Sequence, residues 1–205
     1  MNQMSALFNL ACGQPLPAED DSRARRLQLI VAAMLMALAL SSVWGLAAGS
    51  ASLAIAMGNL LKVPLIVLLS SLAAVPAGML AWKLSGAKVR GTQVMVSFAS
   101  GVFCAAMVLA VLSPVVALYY HSSAWAGPML AMGSVLLSIG VAVVIFLRNV
   151  FGQLEETVAR FPVVITVSVF LLMQLAALLQ LVALFSPILP ELTVFDGGID
   201  RMMGR

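Results

Sequence analysis

Charge is what this sequence has least of. Only 9% of its 205 residues are Asp, Glu, Lys or Arg, whereas soluble domains contain about a quarter. Hydrophobic residues make up 62% of the chain, and the mean hydropathy is +1.09. A soluble fold of this size cannot hide so much apolar surface from water, so we infer that lipid is the solvent for most of the chain.

Groups that carry chemistry are also scarce. The chain has two cysteines, Cys12 and Cys104, and one histidine, His121. The cysteines lie far apart in different settings, so a disulfide is not expected, and a metal site needs more ligands than these. No phosphate-binding loop, dinucleotide-binding glycine motif or hydrolase nucleophile motif occurs. We therefore expect no enzyme activity, no cofactor and no metal.

Long apolar runs dominate what is present. The clearest is Leu61 to Gly86, in which twenty uncharged residues separate Lys62 from Lys83. At about 1.5 Å per residue, such a run reaches about 30 Å, the thickness of a bilayer's hydrocarbon core. We predict an all-α polytopic membrane protein: a segment 1–26, a five-span domain 27–187 and a tail 188–205. The predicted spans are about 27–48, 63–82, 93–118, 128–147 and 162–185.

The segments between the spans are short. Residues 49–61 carry no charge and predict a short interfacial or partly buried connection. Residues 1–12 and 149–161 each place apolar side chains on one helical face, which is typical of an amphipathic helix that lies on a membrane or binds a partner.

The basic residues predict an orientation. Eight of the eleven lie on the side of the N-terminus and three on the other. The positive-inside rule then puts the N-terminus in the cytoplasm and the C-terminus outside. This distribution explains the net charge of +3 without nucleic acid. Lys62 is the only cation in either outer loop, so it is the candidate contact for a partner or an anionic lipid head group. The alternative is a lysine that only snorkels to the membrane surface.

No charged residue falls in the middle of a predicted span, which argues against ion-coupled transport. The polar candidates are Gln174 and Gln180, which face different directions because six residues at about 100° each differ by about 240°. Their expected role is hydrogen bonding between helices, and the alternative is the lining of a path for a neutral solute.

Small residues and one proline predict packing features. Gly45 and Gly49 lie four residues apart in the sequence, and so do Ser97 and Gly101. Both pairs permit close helix approach, within the bundle rather than in a dimer. Pro76 lies deep in the second span, where it is expected to kink the helix or end its regular part.

The topology and the second span resemble a known family. Five spans, a cytoplasmic N-terminus and LKVPLIVLLS at the start of Leu61 to Gly86 are similar to bacterial five-span proteins related to the Yip family. The resemblance implies residence in the bacterial cytoplasmic (inner) membrane. Eukaryotic members of that family bind small GTPases and help to shape transport membranes. No functional residue is carried over, because the longer Yip motifs do not occur in this chain.

Three functions fit these features. The first is a non-enzymatic accessory or scaffold subunit of a larger membrane assembly, whose partners are the lipid bilayer and other membrane subunits or further copies of the chain. The second is a small transporter or channel for a neutral solute, with a path near Pro76, Gln174 and Gln180. The third is a Yip-like protein that organises the membrane through its amphipathic segments.

Overall fold

The computed structural model describes residues 3–11, 22–86, 90–122, 125–152, 160–186 and 188–189. Within these ranges every regular element is an α-helix, which confirms the predicted fold class. The helices are α1 (Gln3–Ala11), α2 (Arg23–Ala48), α3 (Leu53–Ser85), α4 (Gly91–Ser122), α5 (Ala126–Phe151) and α6 (Arg160–Phe185).

The last five helices are each long and apolar enough to cross a membrane. The chain is therefore a polytopic membrane protein, as its composition predicts. Helices α3 and α4 contain 33 and 32 residues, or about 50 Å and 48 Å at 1.5 Å per residue. Both exceed the hydrocarbon core of about 30 Å, so they extend beyond it or cross it at a tilt.

Residues 49–61, predicted to be a short interfacial or partly buried connection, belong mostly to helix α3. Only Gly49 to Ser52 lie between the helices, and α3 begins at Leu53. No proline or charge interrupts the sequence from there to Leu61, and Asn59 is completely buried. Tertiary packing therefore stabilises two helical turns that composition alone does not predict.

Local sequence explains where two helices begin or end. Ser22 caps α2, because its Oγ accepts a hydrogen bond from the backbone N–H of Arg25 at 3.2 Å. Helix α3 ends at Ser85, and the next residue, Gly86, has a left-handed φ of 66°, which suits glycine.

The five long helices pack mainly on neighbours in the order α5, α4, α2, α3 and α6. Phenylalanines bring the two ends of this row together. The rings of Phe98 on α4, Phe146 on α5 and Phe170 on α6 lie 5.1–5.8 Å apart. Their centroid distances and tilted or edge-to-face geometry are those of favourable aromatic contacts. The bundle is thus closed at the level of these three rings.

Helix α1 packs against the bundle. Ala6 and Leu7 are buried in a cluster that contains Leu29 of α2 and Phe103 of α4. Phe8 meets the Phe103 ring edge-on at a centroid distance of 6.2 Å. This part of the predicted amphipathic segment therefore contacts protein on its buried face.

The second predicted amphipathic segment, 149–161, is divided. Asn149 to Phe151 continue α5, which runs past the predicted end of the fourth span at Leu147, and α6 begins at Arg160. Residues 153–159 lie outside the described residues. The prediction of one separate helix over 149–161 is therefore wrong at both ends of that segment, because these ends belong to α5 and α6.

Candidate functional site

Polar side chains join α3 to α6 along what we call the α3–α6 seam, formed by Ser70, Ser71 and Ser85 of α3 with Thr166 and Gln174 of α6. The Nε2 of Gln174 donates to Ser70 Oγ at 3.2 Å and to Ser71 Oγ at 3.3 Å. Both serine hydroxyls donate to the Val67 carbonyl of their own helix, so their oxygens are free to accept. The seam thus holds two long apolar helices in one register.

A second contact in this seam joins one side chain of α3 to one side chain of α6. The hydroxyl oxygens of Ser85 and Thr166 are 3.1 Å apart. Gln174 Oε1 is buried and has no hydrogen-bond partner among the described residues. Among the described residues, the Nε2 of Gln174 is therefore hydrogen-bonded and its Oε1 is not.

Other polar contacts join helices at the end of the bundle where α2 ends and α3 begins, which we call the far end. Trp44 Nε1 donates to Ser134 Oγ at 2.9 Å, between α2 and α5. Asn59 Nδ2 donates to the carbonyl of Ile188, just after α6, at 2.6 Å. These contacts tie together helices that are distant in sequence.

The opposite end, where α2, α4 and α6 begin, we call the basic end. Arg26 of α2 is buried, and its guanidinium donates to Thr92 Oγ1 of α4 at 2.8 Å. Asn149 of α5 donates to Ser100 Oγ of α4 at 3.3 Å. The cations near this end include Arg23, Arg25, Arg26, Lys83, Arg90 and Arg148.

The predicted small-residue pairs lie at helix crossings inside the chain. A Cβ added at Gly45 would lie 2.5 Å from the Asn59 carbonyl oxygen, and one at Gly49 would lie 2.6 Å from the backbone nitrogen of Ala56. Helices α2 and α3 therefore touch backbone to backbone. The second pair lies between α4 and α5: a Cβ at Gly101 would lie 2.9 Å from the Ala142 carbonyl oxygen, and Ser97 is completely buried.

The two predicted glutamines have different surroundings. Gln174 faces the seam, whereas Gln180 is exposed and makes no hydrogen bond within the described part of the chain. Gln180 lies five residues before the end of α6, or about 7.5 Å along its axis. It belongs to an exposed helical face that we call the α6 outer face, formed by Leu172, Ala176, Leu179, Gln180 and Ala183.

Lys62 lies within a helix rather than at the end of one. Because α3 begins at Leu53, Lys62 is about 13 Å along it. The side chain runs back along the helix, since a Cβ added at Gly58 would lie 3.7 Å from Lys62 Cε. That direction leads to the far end, as expected of a lysine whose amine reaches towards water.

Pro76 is exposed, and α3 continues past it to Ser85. The proline therefore does not end the helix. It removes the N–H that would bond the Leu72 carbonyl, so one backbone acceptor lacks its intrahelical donor.

Metal-ligating groups do not gather in the described ranges. No three or more His, Cys, Asp or Glu side chains there lie close enough to hold a metal ion. Cys104 is buried in the cluster beneath α1, and Cys12 lies outside the described residues.

Sequence reasoning missed several of these contacts. Asn59 fell in a segment predicted to be a connection, and Trp44 and Asn149 fell near the ends of predicted spans. Their common signal is an isolated amide or indole in an apolar stretch, which needs a partner when it is buried. The partner itself cannot be identified from spacing in the sequence.

No protein-family model, curated protein or solved structure shows significant similarity to this chain. The Yip-like resemblance thus rests on the predicted topology and on Leu61 to Gly86.

Proposed function

We propose that this protein is a non-enzymatic accessory or scaffold subunit of a larger membrane assembly. The observation that carries the proposal is the exposed Gln180 on the α6 outer face. An amide in hydrocarbon without a hydrogen-bond partner costs about 4–8 kcal/mol relative to water. A neighbouring membrane helix with a polar side chain would remove much of that cost.

The surroundings of Gln180 suit such a neighbour. Ala176 and Ala183 are exposed on the same face. Small side chains let another helix backbone approach closely, which is how membrane helices associate in the absence of a hydrophobic driving force. The α6 outer face is therefore the surface that we assign to the partner subunit.

The polar contacts inside the bundle support a scaffold role. The Gln174 amide and the Trp44 indole bond to serines of other helices. Hydrogen bonds of this kind hold helices in one arrangement and contribute about 0.6–2 kcal/mol each. A fixed arrangement of helices is what an assembly partner would dock against.

The proposal includes an orientation. The cations near the basic end favour a cytoplasmic basic end in the bacterial inner membrane. The N-terminus is then cytoplasmic and the far end is outside.

Two glutamines on one helix make a matched test. The tagged full chain is purified from its native membrane in mild detergent and weighed by native mass spectrometry. We expect a complex heavier than the 21.5 kDa chain, which Gln180→Leu disrupts and Gln174→Leu leaves intact. Gln174→Leu should instead lower the thermal stability of the chain. A parent protein that is a monomer without co-purifying subunits would overturn the proposal, and so would an intact complex in Gln180→Leu.

A path for a neutral solute is the second candidate. Its specific support is Gln174 Oε1, a buried acceptor with no partner among the described residues. Pro76 and Gln180 occupy exposed positions, so Gln174 is the one of the three that faces the interior. If the protein forms such a path, Gln174→Leu should reduce solute flux into vesicles. Unchanged flux would count against the path.

The third candidate function, which follows from the Yip-like resemblance, is that of a membrane-organising protein that acts through its amphipathic segments. In α1, Ala6 and Leu7 pack into the bundle while Phe8 is exposed. Among the described apolar side chains of α1, Phe8 is therefore the one placed to contact lipid. Phe8→Ser should weaken vesicle remodelling if this hypothesis is correct, and unaltered remodelling would exclude Phe8 from that role.

A further inference from the structure

The chain just after α6 crosses the far end of the bundle. Helix α6 packs mainly on α3. Beyond it, Ile188 and Leu189 pack against a different cluster, which we call the far-end cluster. The buried members of the far-end cluster come from α2, α3, α4 and α5: Trp44, Ala48, Val63, Leu109, Val116 and Ala131.

Asn59 holds this crossing segment. Its side chain is completely buried, and its Nδ2 donates to the Ile188 carbonyl at 2.6 Å. Its Oδ1 is also buried but has no hydrogen-bond partner among the described residues. A buried acceptor without a donor is costly, because its hydrogen bond to water is lost and not replaced. Among the described residues, the closed arrangement therefore gives Asn59 one hydrogen bond and leaves its Oδ1 without one.

We propose that Ser186, Ile188 and Leu189 form a strap that closes the far end over Trp44, with Asn59 as its latch. The strap opens reversibly, and opening admits water to Asn59 Oδ1 and to the hydrogen bond between Trp44 and Ser134. Two features make opening easy. Ile188 and Leu189 are only half-buried, and the carboxamide of Asn59 is better solvated when the strap is open.

Fluorescence of Trp44 reports on the strap. Trp82→Phe and Trp125→Phe leave Trp44 as the only tryptophan. The full chain is placed in lipid nanodiscs, and quenching by iodide, which stays in water, is measured. Trp44 is 5% exposed, so we expect weak quenching in this parent protein.

Two variants and a control decide the proposal. Ile188→Asp with Leu189→Asp releases the strap without altering any helix, and Asn59→Ala releases the latch. Both should increase the quenching constant and shift the emission to the red. Asn149→Ala removes a buried amide at the basic end and should leave both readings at the parent value.

The strap variant is decisive. If iodide quenching in Ile188→Asp with Leu189→Asp stays at the parent value, the strap does not cover Trp44 and the proposal is wrong. The same conclusion follows if only Asn59→Ala increases quenching, because the exposure then comes from separation of α2 and α3.

Discussion

Trp44 of α2 and Ser134 of α5 are joined by a hydrogen bond of 2.9 Å, although both helices pack mainly on α4. Ser134 Oγ donates its own hydrogen to the Ala131 carbonyl at 2.7 Å, which leaves the oxygen to accept from the indole. The contact therefore spans the two helices that flank α4. It connects buried side chains that lie 90 positions apart in the sequence.

Ser134→Ala is expected to destabilise the protein by about 1–3 kcal/mol, because the buried Trp44 N–H loses its acceptor. Ser138→Ala is the matched control: Ser138 is equally buried, and its hydroxyl donates to the Val135 carbonyl of its own helix. Unfolding followed in detergent should separate the two variants. Equal losses of stability would show that the indole contact contributes nothing specific.

Gly45→Ala is expected to destabilise the bundle by about 1–3 kcal/mol, since the new methyl group would press on the Asn59 carbonyl. Gly140 provides the contrast, because no atom lies within 4 Å of an added Cβ there. Gly140→Ala should be neutral or stabilising by up to about 1 kcal/mol through helix propensity. Thermal melts of both variants test the crossing of α2 and α3, and an unaffected Gly45→Ala would contradict it.

Gly78→Ala should also destabilise the chain, because the added methyl group would overlap the ring of Phe170, which is completely buried. Phe170→Leu removes part of that ring and should recover stability in the Gly78→Ala background. The double-mutant cycle should give a coupling energy of about 0.5–3 kcal/mol. Additive effects would mean that the ring does not rest on Gly78.

Two positions flanking one helix test the proposed orientation. Arg90 precedes α4 and His121 lies near its end, and both are exposed. In a chain whose native cysteines are replaced by serine, Arg90→Cys should react with a membrane-impermeant thiol reagent only from the cytoplasmic side. His121→Cys should react only from outside. The reverse pattern would invert the proposed topology, and labelling of both from one side would contradict α4 as a span.

Much of the architecture was predictable from composition and spacing. The five spans follow from apolar runs, since a helix is the simplest way to satisfy backbone hydrogen bonds in lipid. Angular arithmetic on α6 also predicted that Gln174 and Gln180 face apart. The helix from Leu53 to Leu61 was not predicted, because its apolar character is moderate and its burial against α2 depends on a distant segment.

The candidate site was predictable as residue types but not as contacts. Asn59 and Trp44 are visible in the sequence as lone polar groups, yet their acceptors lie 129 and 90 residues away. No local pattern encodes such distances. The strap could not be predicted from the sequence either, because Ile188 and Leu189 look like any short apolar connection.

By itself, the sequence determined the solvent, the fold class and the number of spans, because backbone hydrogen bonding and apolar transfer act residue by residue. Only the tertiary structure decided which polar group meets which. Gln174 donates hydrogen bonds to Ser70 and Ser71 inside the bundle, whereas Gln180, six residues later, lies on the exposed face. The physical reason is that a hydrogen bond needs its two atoms within about 3 Å, and helix packing alone brings distant segments that close.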